Sequence, residues 1–142
     1  MQKIYQITKA AKLDSLSHLR QFIQLAANEH PGIDQETVYD LQLALDEAAT
    51  NVITHGYAGM DPGSMILMLE IDLKRIRMTL TDFGHPFEPS SAPAPDLEAA
   101  LEDRPMGGFG LYFIYQTMDE VDYVTTSDSN TLTLIKRRPD GN

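Results

Sequence analysis

Apolar residues fall at every second position from Met65 to Leu73 and again from Ile76 to Leu80, whereas upstream they recur at spacings of three and four. This change of period, from helix to strand, restricts the fold more than any other feature of the chain. Leu16, Leu19, Ile23 and Ala26 share one face of a helix over 15–28. Val38, Leu41, Leu45, Ala48 and Val52 do the same along a longer helix that runs to about Gly56. Pro31 and Gly32 separate the two helices. Asp14 and Asp34 stand where N-caps belong, and Glu36 lies in a first turn, where the helix dipole favours a carboxylate. Lys74-Arg75 turns the first alternating run into the second, which predicts a hairpin. A short edge strand at 3–9, a helix from Phe109 through Met118, and strands at 120–126 and 131–137 around Ser127-Asp128-Ser129-Asn130 complete the order. Prolines 86, 89, 93, 95 and 105 make 84–107 a long loop with at most a short helix at 96–102. Hairpin-linked strands with helices elsewhere predict an α+β two-layer sandwich, a mixed or antiparallel sheet covered by helices on one face.

The chain has 142 residues, which predicts a single domain over 1–142 with one core. Its 21 acidic residues against 11 Lys and Arg give a net charge of −10. That balance speaks against direct contact with nucleic acid or an anionic membrane, both of which are held by basic patches. It leaves room for a nucleotide bound by a few placed donors and a Mg²⁺. The absence of Cys excludes disulfides and thiolate chemistry. No signal-peptide stretch opens the sequence and no apolar run approaches the length of about 18 residues that spans a bilayer, so a cytoplasmic protein is expected.

Three places break the pattern. Glu47 and Asn51 lie one turn apart on the long helix, opposite its apolar stripe. They form either a solvated polar face or a cleft-facing pair, in which the amide oxygen suits Mg²⁺ and the carboxylate orients or deprotonates a nucleophile. Asp82 continues the 76, 78, 80 alternation onto the apolar side of a strand end, with Gly84 beside it. It is either a turn residue capping its own backbone or a buried carboxylate awaiting a donor. Asp82-Phe83-Gly84 looks like the magnesium motif of eukaryotic-type protein kinases, but no Gly-rich loop, strand Lys or His-Arg-Asp loop accompanies it. Finally, Arg104-Pro105-Met106-Gly107-Gly108-Phe109-Gly110-Leu111 opens a helix, as a hinge or as a cradle of free N–H groups for an anion. It is not a Walker A loop, since no Gly-Lys-Ser/Thr follows.

In this order, Glu47-x-x-x-Asn51, Asp82-x-Gly84 and Gly107-Gly108-Phe109-Gly110-Leu111 resemble the N, G1 and G2 boxes of the GHKL ATPase superfamily, whose ATP-binding domain is the Bergerat fold. Within it, Asp46 to Tyr57 and the run from Gly107 to Leu111 followed by Met118-Asp119-Glu120-Val121 are similar to the serine-protein kinases that act as bacterial anti-sigma factors. The resemblance covers roughly 3–137. It implies ATP and Mg²⁺ as cofactors. By it, Asn51 would hold the Mg²⁺, Glu47 would be the general base, and Asp82 would accept a hydrogen bond from the adenine amine, with Gly84 leaving room beside it. Gly107, Gly108, Phe109, Gly110 and Leu111 would form the phosphate-binding box, with the backbone N–H groups of Gly108 and Gly110 directed at the phosphates. The loop 84–107 would be the ATP lid, with Arg104 within reach of the phosphates. His55 and Tyr57 match the end of the N box and are expected to be structural or to wall the adenine. His18, His30 and His85 are expected at the surface. Pro86 stands where the family often has a second G1 glycine, which bears on lid geometry.

The resemblance further implies an anti-sigma factor with serine/threonine kinase activity. Its partners would be a sigma factor and a STAS-type anti-anti-sigma protein, and it would form a homodimer. Other readings are an ATP-dependent binding switch without transfer, for which Glu47 would be dispensable, and a stand-alone histidine-kinase-like domain, against which it counts that no helix carrying a phosphorylatable His precedes the domain, though a separate chain could supply one. A gyrase-like or MutL-like ATPase would need an appended transducer domain.

Overall fold

The alternating segment forms the middle of a sheet. In the computed structural model, which describes residues 2–86 and 114–138, β2 (Ser64–Ile71) and β3 (Arg75–Asp82) pair as an antiparallel hairpin. Asp72 closes the turn, its Oδ1 accepting the N–H groups of Lys74 and Arg75 at 2.7 and 2.8 Å. These two bonds hold the Asp72 carboxyl below the usual carboxylate range. β1 (Lys3–Ala10) flanks β2 as an edge, β5 (Asn130–Arg137) flanks β3, and β4 (Glu120–Thr125) forms the other edge. The order is β1-β2-β3-β5-β4 and every pairing is antiparallel, which resolves the mixed-or-antiparallel alternative.

Register stacks the apolar positions on one face. Leu67 lies opposite Leu80 and Leu69 opposite Met78, and Leu80 and Met78 in turn face Leu132 and Leu134. The helices α1 (Ser15–Asn28) and α2 (Gln35–Asn51) cover this face with Leu19, Ile23, Leu41 and Leu45, each no more than 1% exposed. Burial of each such side chain contributes about 1.5–3 kcal/mol. The other face of β3 and β5 carries paired threonines, Thr79 opposite Thr133 and Thr81 opposite Thr131.

The helix ends agree with the sequence in one case and not in the other. Asp34 caps α2, accepting the Thr37 N–H at 2.8 Å from an extended backbone. Asp14 does not cap α1: its dihedrals are already helical and its side chain bonds no first-turn N–H. The hydroxyl of Ser15 instead donates to the Ala10 carbonyl at 2.7 Å, tying the start of α1 to the end of β1. The helical run that begins as α2 reaches Gly56 as its spacing predicts, but beyond Asn51 it continues as a π-helical turn, Val52–Gly56.

Residues 114–117 are helical, with Ile114 fully buried. Lys136 on β5 holds the end of that turn, donating to the Thr117 carbonyl at 2.6 Å while pairing with Asp40 of α2 at 3.3 Å. The helix onset at Phe109, the 96–102 helix and nearly all of the 84–107 loop fall outside the described residues. Among the described residues no helix is long and apolar enough to cross a membrane.

Candidate nucleotide site

Burial removes the solvated-face reading of α2. Asn51 is only 7% exposed and Glu47 is half-buried. The Asn51 Nδ2 lies 3.5 Å from Glu47 Oε1, at the limit of a hydrogen bond. Burial pushes the Glu47 carboxyl above the ordinary range, while the Asn51 amide and the charge of His55 hold it back. The Asn51 Oδ1 accepts no hydrogen bond from the described residues. A buried amide oxygen left open in this way fits a hard cation. Among the described residues no group of three or more His, Asp or Glu side chains gathers to hold a metal.

The π-turn after Asn51 ends at Gly56, whose carbonyl accepts the His85 N–H just beyond β3. Such turns recur at functional sites because they displace the chain without ending the helix. At its end Tyr57, 6% exposed, donates its hydroxyl to the Ser64 carbonyl at 2.9 Å and accepts the Phe83 N–H at 3.0 Å. Burial raises the Tyr57 hydroxyl, which keeps it a donor. Tyr57 therefore clamps the end of α2 to the start of β2 and the end of β3, the structural role among those considered for it.

Gly84 has a further reason to be glycine. The His85 N–H donates to the Gly56 carbonyl, and a Cβ on Gly84 would overlap that carbonyl while lying 3.2 Å from the Gly56 Cα. The missing side chain admits a neighbouring backbone, five residues beyond Asn51.

Asp82, 5% exposed, sits at this junction. Its Oδ1 accepts the Gly84 N–H at 2.9 Å, the local turn bond foreseen for it, and also Asn130 Nδ2 at 3.0 Å. Asn130 is 2% exposed and donates again to the Gly84 carbonyl at 2.9 Å. Oδ2 of Asp82 accepts no hydrogen bond from the described residues. Asn130 is missing from the sequence-derived site. The sequence places it in the turn, yet the turn is made by Thr126, whose hydroxyl accepts the Asp128 and Ser129 N–H groups, and Asn130 begins β5. The signal was available: 130, 132 and 134 continue one buried face.

Among the other expected residues, Arg104, Gly107, Gly108, Phe109, Gly110 and Leu111 lie outside the described residues. His18, His55 and His85 are exposed. His30 departs from the surface expectation: it is half-buried, with Nε2 3.0 Å from the Tyr5 hydroxyl.

Two helices over a five-stranded antiparallel sheet, with a carboxylate and an amide on the helix and a carboxylate at the end of the third strand, define an α+β domain of the GHKL ATPase type. The chain matches the histidine kinase-like ATPase domain over residues 9–136 and belongs to that family. It is 29% identical over 96 residues to the serine/threonine-protein kinase BtrW of Bordetella bronchiseptica, covering 68% of each chain. It is 28% identical over 115 residues to the serine-protein kinase RsbW of Bacillus cereus, covering 78% of this chain and 71% of that one. A crystal structure of the RsbU and RsbW domains of a Mycobacterium tuberculosis protein shares the fold, with a TM-score of 0.66 at 17% identity over 95% of this chain. This chain spans 32% of that one.

Proposed function

We propose that the chain is an ATP-dependent anti-sigma factor that phosphorylates a serine or threonine of a STAS-type anti-anti-sigma partner and binds a sigma factor in its other state. The observation that carries the reading is the half-buried Glu47 one turn from a buried Asn51 whose amide oxygen accepts no hydrogen bond from the described residues. The kinase names of the BtrW and RsbW relatives support it. Asn51 would hold Mg²⁺, which when bound neutralises charge on the ATP phosphates. Asp82 would accept the adenine amine through Oδ2. Gly108 and Gly110, within the 107–111 box, would offer N–H groups to the phosphates, and Arg104 would add a positive charge there.

The reaction needs little covalent work from the protein. The partner's hydroxyl oxygen attacks the γ-phosphorus, the bond from that phosphorus to ADP breaks, and the hydroxyl proton passes to the Glu47 carboxylate. Half-burial favours this: a base whose pKa is raised toward the working pH accepts the proton more readily. In this reading the 142 residues act as one domain within a homodimer in the cytoplasm.

The direct test is incubation with γ-labelled ATP, Mg²⁺ and the STAS proteins encoded beside the gene. Acid-stable label on a partner serine or threonine is expected. Absence of label with ATP still bound would favour the binding-only switch.

Asp82→Asn is expected to weaken ATP binding about 10- to 150-fold, the equivalent of one charge-assisted hydrogen bond of about 1.5–3 kcal/mol. The amide would present a donor either to the adenine amine or to Asn130 and Gly84, which already donate. Calorimetry reads the change, and parental affinity in the variant would remove Asp82 from base recognition.

A further inference from the structure

The Asp82 carboxylate is fixed from one side only. Oδ1 is held by two donors, the Gly84 N–H and Asn130 Nδ2, at 2.9 and 3.0 Å. The same Asn130 nitrogen is itself located by the Gly84 carbonyl at 2.9 Å. Asn130 thus places one hydrogen on the carboxylate and one on the backbone that follows it, closing a small ring of bonds. Asp82 and Asn130 are 5% and 2% exposed, so water does not take over these contacts. They lie directly opposite each other across the β3–β5 pairing, which sets their separation by sheet register rather than by a loop.

A carboxylate rotates freely about its last torsion unless its oxygens are distinguished. Here one position is: any turn of Asp82 short of the half-turn that exchanges its two equivalent oxygens would break both bonds and leave buried donors unpaired, which is unfavourable, so the plane of the carboxylate is fixed. We propose that Asn130 is a positioning residue that sets the purine specificity of the site, committing Oδ2 of Asp82 to accept an exocyclic amine at purine C6. A purine with a carbonyl at C6 would set acceptor against a fixed acceptor and be rejected. The inference rests on the reading of Asp82 as the group that faces adenine.

The test is a titration of the full chain with ATP and with inosine triphosphate, the 6-oxo analogue. It uses the parent, Asn130→Leu, which keeps the size without donors, and Asn130→Thr, a good strand former with one donor. The parent is expected to prefer ATP by at least about tenfold, the value of a charge-assisted bond gained on one side only. In Asn130→Leu that preference falls about tenfold, and in Asn130→Thr by less. A purely structural Asn130 would lower both affinities together and leave their ratio unchanged; that result, in whichever variant folds, overturns the proposal. A parent that binds both nucleotides equally would instead overturn the assignment of Asp82 to the base. In labelled parental protein, which needs no variant, the Asn130 side-chain amide protons are expected to exchange slowly with water. Free exchange would show the ring of bonds to be absent and would equally overturn the proposal.

Discussion

Glu47→Ala is expected to lower phosphoryl transfer about 10²- to 10⁴-fold while ATP affinity stays at the parental level. The separation follows from geometry. Glu47 and Asn51 share a helix face one turn apart, which in the proposed reading lets one side chain serve the attacking hydroxyl and the other the metal. Asn51→Ala should therefore weaken Mg²⁺-dependent binding and transfer together. The pH dependence has a definite sign. Burial raises the Glu47 carboxyl, so the acid limb of the transfer rate should fall above the ordinary Glu value of about 4.3. A carboxyl whose folded pKa is raised contributes stability below its unfolded pKa, and that contribution is lost as pH rises through the folded value. Glu47→Gln should then be at least as stable as the parent at neutral pH while remaining inactive, the pattern of a residue retained for chemistry rather than packing. Melting curves at pH 7 beside transfer rates check this. A variant that both melts earlier and loses ATP would make Glu47 a structural residue.

Local signals were legible in the sequence and long-range ones were not. Periodicity placed β2, β3 and α2 because each buries one face of a regular element. The cap at Asp34 was legible because its bond closes over three residues. Asp14 failed by the same rule, because the start of α1 is instead tied to β1 by the Ser15 hydroxyl. The pair Glu47 and Asn51 could be read from spacing, but whether it faced water or the core depended on the sheet beneath it. Asp82 was visible as a carboxylate out of pattern; its partner Asn130, 48 residues away, was hidden among turn-forming neighbours. The π-turn that ends at Gly56, the neighbour of Gly84, has no sequence signature here, so Gly84 could be read as room for a close approach of backbone or ligand, but not as room for the backbone of Gly56 in particular.

Gly84→Ala should be the most damaging small substitution in the described part of the site. The added methyl overlaps the Gly56 carbonyl, and this obstacle is backbone rather than the movable end of a side chain. Overpacking commonly costs about 1–3 kcal/mol, and a rigid obstacle places this case near the upper end. Relief requires the end of β3 to move away from the π-turn, which breaks the bond from the His85 N–H to Gly56 and the one from the Gly84 N–H to Asp82. At about 3 °C per kcal/mol for a domain of this size, the melting temperature should drop roughly 10 °C, with ATP affinity falling because Asp82 moves. Gly59→Ala supplies the contrast. Gly59 has a φ of +76° and no atom within 4 Å of an added Cβ, so alanine there meets only backbone strain, about 1–2 kcal/mol, and should leave ATP affinity intact. Melting and nucleotide titration of the two variants side by side separate a crowded junction from a strained loop. Parental stability and affinity in Gly84→Ala would mean that the junction of α2 and β3 is not what holds Asp82 in place.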